Sequence, residues 1–388
     1  MSRPATFLIL VTDAYGGFGG ISQYNRDLID GLCSLDEVGR VDALPRIAKE
    51  PVGELPAKLH FDLSGIAGKP AYALAVLRHA FSGPRPDLVL CGHLNLLPLA
   101  ALVAGLRRAK LALQIHGIDA WTPHPGALVR WLTGRIDVVL SVSAVTADRY
   151  LKWARPPRTG ARVLPNTITL ERYGVAPKAP DLVEKFGLAG RTVLLTMGRL
   201  AGRERYKGFD RVIEAMPLIA AHDPSAVYVV AGAGDDLERL RDKAKQFGVG
   251  DRVIFTGFVP EERKADYFRL ADVYVMPSLG EGFGIVCLEA MACGVPTVAS
   301  TRDGSFEAIR GGELGIAVDP FDPTAIKDAV AESLRRPRTV PSGLNYFAVP
   351  AFRARLRELF FGTDSIFCTR LHTKNSVPDQ PGAAGGID

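Results

Sequence analysis

Residues 276–289 read MPSLGEGFGIVCLE. A short apolar, β-branched run over 273–276 ends at Pro277-Ser278. A glycine-rich turn follows over 280–284, and an apolar helical pattern opens near Ile285. Strand, tight turn, helix is the repeating half of a parallel βαβ arrangement. Two carboxylates lie in this unit. Glu281 sits in the turn, and Glu289 falls on the second helical turn among Val286, Leu288, Ala290 and Met291. The first amides of such a helix, at Phe283, Gly284 and Ile285, have no helical acceptor and face outward toward a ligand. A carboxylate inside an apolar helix needs a partner, because burying it unpaired is costly. A diol, such as that of a ribose, supplies two hydroxyl donors at once. The plainer alternative for Glu289 is a glutamate on the solvent side of the helix.

The same unit recurs along the chain. Apolar, β-branched runs fall at 7–11, 88–91, 111–115, 138–142 and 162–164. A second series falls at 193–197, 227–231, 253–256, 273–276, 297–300 and 316–318. Helical patterns lie between them, among them 20–35, 209–221, 237–247, 261–270 and 323–336. Strands apolar on both faces and alternating with helices form parallel sheets covered on both sides. The two series part at a stretch near 166–190 with glycines, prolines and weak periodicity, which suits a linker. The predicted class is therefore α/β with two doubly wound parallel-sheet domains, 1–172 and 191–361, joined by a linker over 173–190. The segment 362–388 loses periodicity, turns rich in Gly, Pro and polar residues, and is predicted to be disordered. Sheets of this kind bind ligands beyond the carboxyl ends of their strands, so two facing domains place a ligand in the cleft between them.

Bulk properties agree. With 388 residues the chain is too long for one typical core. Apolar residues make up 47% and charged residues 23%, a soluble globular balance. The five cysteines, Cys33, Cys91, Cys287, Cys293 and Cys368, form no C-x-x-C pair, which predicts a reduced cytoplasmic chain without a zinc site. The apolar run 5–11 breaks at Thr12-Asp13 without a small-residue cleavage site and is predicted to be a strand rather than a signal peptide. The apolar stretch 94–106, interrupted by Asn95 and Pro98, is too short to span a bilayer. The net charge of +5 is uneven: 103–162 carries ten Lys or Arg against three Asp or Glu. With Trp121, Trp131 and Trp153 nearby, this basic region suits an anionic membrane surface or a phosphorylated lipid. A solvated helix face is the plainer alternative. No nucleic-acid motif accompanies the charge.

Four further places follow strand ends. YGGFGGIS (15–22) opens a helix with Gly16, Gly17, Gly19 and Gly20, where amides can approach an anion. It lacks the third glycine of a dinucleotide fingerprint. QIHGID (114–119) puts His116 at a strand's carboxyl end, with Asp119 behind it to orient it or bind a hydroxyl. MGRL (197–200) and YKGFD (206–210) bring Arg199 and Lys207 to one helix start, a combination suited to a diphosphate. Two such cations repel each other unless an anion lies between them. FTGFV (255–259) leaves backbone open at Gly257, as recognition of a nucleobase edge requires. Asn166, at the start of the linking stretch, is a further candidate.

Together these pieces resemble the retaining glycosyltransferases of family 4, with the GT-B architecture of two facing Rossmann-like domains. The glycine loop, His116-Gly117, Gly198-Arg199, Lys207-Gly208, Gly257 and Glu281-x7-Glu289 carry the resemblance over residues 6–361. It implies that the first domain serves the acceptor and the second binds a GDP- or UDP-linked sugar, a co-substrate rather than a cofactor. It implies that Arg199 and Lys207 hold the diphosphate and that Glu289 binds ribose. Glu281, with the amides of 283–285, would grip the sugar. His116 would approach the reacting carbon, the loop 16–20 would lie near diphosphate and acceptor, and Gly198 and Gly257 would lie along the nucleotide. No Asp-x-Asp metal motif is present, and the two cations can do a metal's work, which predicts metal independence. YGGFGGISQYNRDL is similar to bacterial members that build surface polysaccharides such as O-antigen. That implies transfer of a hexose, often mannose, to a lipid-diphosphate-linked glycan on the cytoplasmic face of the inner membrane. Three rivals stand beside this: an NAD-linked oxidoreductase, which lacks its fingerprint here; a nucleotide-sugar epimerase; and a non-catalytic nucleotide-sugar or glycolipid binder.

Overall fold

The computed structural model describes residues 3–367. A first sheet holds seven strands: β1 Ala5–Val11, β2 Val38–Pro45, β3 Leu59–Phe61, β4 Leu88–Cys91, β5 Lys110–Ile115, β6 Val138–Ser141 and β7 Ala161–Val163. Their order is β3-β2-β1-β4-β5-β6-β7, and every pairing is parallel. A second sheet holds β8 Thr192–Met197, β9 Ala226–Ala231, β10 Val253–Gly257, β11 Val273–Met276, β12 Thr297–Ser300 and β13 Ile316–Val318. It is ordered β10-β9-β8-β11-β12-β13, again all parallel. The α/β class with two doubly wound sheets is as the sequence predicts. The predicted strands stand within two residues of their observed ends. Helices cover both faces of each sheet, which is why β1, β4, β8, β9 and β11 are apolar nearly throughout and buried.

Two strands were not anticipated, β2 and β3. The run VGRVDALP of β2 is broken by Arg40 and Asp42, which hides its period. The structure accommodates both charges by pairing them, Arg40 Nη2 to Asp42 Oδ1 at 2.7 Å, with Asp42 buried. In each sheet the order reverses beside the strand that enters first, between β1 and β4 and between β8 and β11. The crevices at these reversals are where such sheets take ligands.

The last helix, Val349–Phe361, crosses back to the first sheet although its sequence follows the second. Phe360 meets Phe7 of β1 edge-on, with ring centroids 5.2 Å apart. Gly31, on the helix Gly20–Cys33, has no room for a Cβ because Leu356 and Phe352 occupy that space. One buried apolar cluster thus runs from Phe7 through Phe352 and Phe360 to Leu195 and Met276 of the second sheet. The expectation of disorder from residue 362 is corrected at its start. Ser365 and Ile366 are buried, and Phe367 packs against Phe7 and Phe360. The remainder of that segment, including Cys368, lies outside the described residues. The four described cysteines are buried and unpaired. Among the described residues no helix is long and apolar enough to cross a membrane.

Phe360→Ala should leave a cavity under β1 and cost about 3–5 kcal/mol. Urea unfolding followed by near-ultraviolet dichroism measures this; a loss under 1 kcal/mol would contradict the placement of the crossing helix.

Candidate functional site

The loops after β8 and β11, the strands flanking the second reversal, bring most candidates together. Gly198-Arg199 follows β8 and Lys207-Gly208 opens the helix Phe209–His222. Gly208 is left-handed, φ 88°, and a Cβ there would press on the Pro277 carbonyl and the Ser278 amide. Only glycine lets this helix start lie against the turn after β11. Lys207 Nζ then stands 2.9 Å from Glu281 Oε1 and 3.8 Å from Glu204 Oε2. Glu204 also accepts from Arg199, Nη2 to Oε1 at 2.5 Å. The two cations therefore do not face each other bare, because the buried Glu204 lies between them. Burial works against the Lys207 ammonium, but the Glu281 charge and hydrogen bond outweigh it, so its pKa stands above the ordinary value. Lys207 keeps a proton uncommitted by these two contacts, and the Arg199 side chain is 65% exposed. Each thus keeps a donor that these carboxylates do not use.

The turn carrying Glu281 is fixed by Asp303, which the sequence reading missed. Asp303 is fully buried; its Oδ2 accepts from the Glu281 amide at 2.8 Å and the Ser278 hydroxyl at 2.7 Å. Its Oδ1 takes the amide and hydroxyl of Ser305. Gly284, φ 87°, precedes the helix Ile285–Ala292, and Phe283 is buried against Phe347, centroids 5.5 Å apart. Gly282 is pressed between the His116-Gly117 backbone of the first sheet and Gly304 of the second. Its carbonyl accepts from Ser143 Oγ at 2.6 Å and Thr146 Oγ1 at 3.3 Å. Beside it the Glu307 carboxylate caps the helix Ala144–Leu151, accepting from the amides of Ala144 (2.8 Å) and Val145 (3.0 Å). The Glu281 turn is thus held to both sheets.

His116 follows β5 into this junction. Tyr24 meets its ring edge-on, centroids 5.2 Å apart, and is backed by Phe352 of the crossing helix. The His116 Nε2 is buried without a hydrogen-bond partner among the described residues. Burial, with the nearby His93, lowers its pKa to about 3, so the ring is neutral at ordinary pH. Asp119 Oδ2 is likewise buried and unpartnered, and burial raises its pKa to about 6 against the backbone amides that favour its anion. A neutral imidazole and a carboxyl, each with an unused buried atom, can bind neutral hydroxyls.

Glu289 is 5% exposed, so the solvent-facing alternative does not hold. Its Oε1 accepts from Tyr173 Oη at 2.9 Å and Lys264 Nζ at 2.6 Å, while Oε2 is buried with no partner among the described residues. Burial raises its pKa and Lys264 opposes the rise. Tyr173, in the stretch read as a linker, and Lys264 were both missed. At the neighbouring strand ends, Gly198, Gly232 and Gly257 converge. A Cβ on Gly232 would strike the Gly198 carbonyl, and Gly257, φ 76°, pairs with Gly232 and has open space where a side chain would stand.

In the first sheet, the loop after β1 splits into two parts. Gly16 accepts from the amides of Lys49 and Glu50, and Gly17 is hemmed in by Ser22 and Asp13, whereas Gly19 and Gly20 face open space. Asn166 is buried at the crossover beside Thr167, whose hydroxyl donates to the Phe347 carbonyl at 2.7 Å.

Comparison with known proteins names this arrangement. Residues 18–172 match the Glycosyltransferase Family 4 domain and residues 180–342 match Glycosyl transferases group 1. The chain belongs to glycosyltransferase family 4. The GDP-mannose-dependent alpha-(1-6)-phosphatidylinositol monomannoside mannosyltransferase of Mycolicibacterium smegmatis is 35% identical over 255 residues, 62% of this chain and 66% of that protein's length. The 2-deoxystreptamine N-acetyl-D-glucosaminyltransferase of Streptomyces fradiae is 28% identical over 375 residues, 90% of this chain and 86% of its own. Anabaena Alr3699/HepE, solved in complex with UDP and glucose, superposes with a TM-score of 0.70 at 21% identity, covering 91% of this chain and 98% of that one. The likeness establishes that this family 4 chain has the GT-B fold.

Burial of the neutral His116 ring makes stability depend on pH. An unfolded chain takes up a proton near the ordinary 6.5, and the native ring does not until about 3. The unfolded state binds more protons in that window, so stability falls as pH drops from about 6.5 toward 3. Comparing urea midpoints at pH 7 and pH 5, His116→Gln should lose less stability than the parent. Equal losses would contradict the buried neutral ring.

Proposed function

We propose that this chain is a retaining, metal-independent hexosyltransferase. It moves a hexose, with mannose the leading candidate, from a GDP- or UDP-linked donor to a glycan acceptor carried on a lipid diphosphate at a membrane face. One observation carries the reading: Glu289, buried, with one oxygen held by Tyr173 and Lys264 and the other left without a partner among the described residues. A ribose hydroxyl would complete it. The GDP-mannose dependence of the mycobacterial relative supports the donor, and its phosphatidylinositol-linked acceptor supports a lipid carrier.

The parts fall into a sequence of roles. Glu289 takes the ribose and Gly257 leaves the base its backbone edge. Arg199 and Lys207 turn their free donors to the diphosphate, assisted by the start of the helix Phe209–His222. Glu281, with the amides of 283–285, grips the sugar hydroxyls, while His116 Nε2 and Asp119 approach from the first sheet. The open part of the glycine loop, Gly19-Gly20, leaves room for the acceptor. As the anomeric carbon–oxygen bond breaks, negative charge grows on the diphosphate and positive charge on the sugar. Lys207 and Arg199 stabilise the first. The acceptor hydroxyl attacks from the face the leaving group vacates and gives its proton to a departing phosphate oxygen, so the anomeric configuration is kept.

A panel of GDP- and UDP-linked hexoses, offered with a lipid-diphosphate glycan, tests this by product formation and the anomeric proton coupling of the product. Transfer with retained configuration is expected. Sugar interconversion without acceptor would favour an epimerase, and nucleotide binding without turnover a binding protein. Lys207→Ala should lower turnover by about 10²–10³ with the fold intact, and turnover should persist in excess EDTA. A strict requirement for Mg²⁺ would overturn the metal-independent reading.

A further inference from the structure

Away from the cleft, an open trough of about 460 Å³ runs between the helix Leu97–Arg107 and the helix Ala127–Leu132. Its floor is made of small residues, Ala101, Gly105 and Ala109, and its walls are Leu102, Leu128 and Leu132. Gly105 has open space where a Cβ would stand. The helix Leu97–Arg107 buries Leu97, Ala100, Val103 and Ala104 inward, yet it also exposes Leu102 and Leu106 outward. A surface helix ordinarily turns polar residues to water. Trp131 and Leu128 extend the exposed apolar rim.

One end of the trough is strongly basic. Arg108, Arg135 and Arg158 come from three separate segments and line it together with one carboxylate, Asp137. Asp137 is already committed: Oδ1 accepts from Arg158 at 2.9 Å and Oδ2 from the Leu111 amide at 2.7 Å. Three guanidiniums against one engaged carboxylate leave an excess of positive charge. Arg135 also lies over the Trp131 ring, 4.7 Å from its centroid, the kind of pair that sits at a membrane interface. From Pro98 to Arg107 the helix rises about 14 Å, at roughly 1.5 Å per residue. That is about half the hydrocarbon thickness of a bilayer, the reach of one leaflet's acyl chain.

We propose that this trough is a binding site for an anionic membrane phospholipid, with an acyl chain along the small-residue floor and the phosphate at Arg108, Arg135 and Arg158. The basic end lies beside the start of β5, opposite the carboxyl end at which His116-Gly117 meets Gly282 of the candidate site. The lipid is therefore an anchor and not the acceptor. The proposal rests on the reading that the chain works at a membrane face, and it assigns that contact to a built site.

Flotation of the full chain with vesicles tests it. Vesicles containing phosphatidylglycerol should carry the protein up and pure phosphatidylcholine vesicles should not. Arg108→Glu with Arg135→Glu should cut the bound fraction about tenfold or more. Gly105→Trp, which fills the trough and leaves every charge in place, should do the same; circular dichroism and the thermal midpoint confirm that each variant is folded. Equal binding to both vesicle types overturns the proposal. Loss with the charge reversals but none with Gly105→Trp overturns it too, since headgroup attraction alone would then suffice. No vesicle binding by a protein that still transfers sugar from a nucleotide donor overturns the lipid site and leaves the transferase reading standing.

Discussion

A buried carboxylate holds two cations at the mouth of the second sheet. Glu204, 7% exposed, takes Arg199 and lies within ion-pairing distance of Lys207, which in turn bonds Glu281. Without Glu204 nothing would offset the mutual repulsion of the two cations, and Lys207 would rest on Glu281 alone. With it they stay charged and close, and each keeps a donor for an anion. Charged groups organised in this way before the ligand arrives need little rearrangement when charge develops on a leaving group.

The cluster stands where it does because backbone can approach backbone. Gly208 lets the Lys207 helix start meet the Pro277-Ser278 strand end, and Gly282 lets the Glu281 turn meet His116-Gly117 of the other sheet. Ser143, Thr146 and Glu307 then fasten that meeting with hydrogen bonds. The crossing helix supports the same junction from behind, through Phe352 and Tyr24 onto the His116 ring. Fold and site are thus coupled: the aromatic contacts that close the first core also set the imidazole.

Much of this was legible in the sequence, for physical reasons. Buried parallel strands must be apolar on both faces, so β1, β4, β8 and β11 announce themselves. Glycine-rich strand ends announce tight loops, and those of Arg199, Lys207, Glu281 and His116 do meet. What escaped was pairing across distance. β2 was hidden because Arg40 and Asp42 satisfy each other within the strand. Glu204 and Asp303 carry no pattern, since each is defined by what it meets in space. Tyr173 looked like linker because its partner, Glu289, lies 116 positions on. The packing of Ile366 and Phe367 was hidden in a segment whose composition reads as loose.

In the proposed function the cations held by Glu204 and Glu281 receive a nucleoside diphosphate. Calorimetric titration of GDP and UDP into the parent and Lys207→Ala proteins tests it most directly. Loss of one charge-assisted hydrogen bond should weaken binding of the preferred nucleotide by about ten- to a hundredfold. Equal affinity in the two proteins would contradict the account.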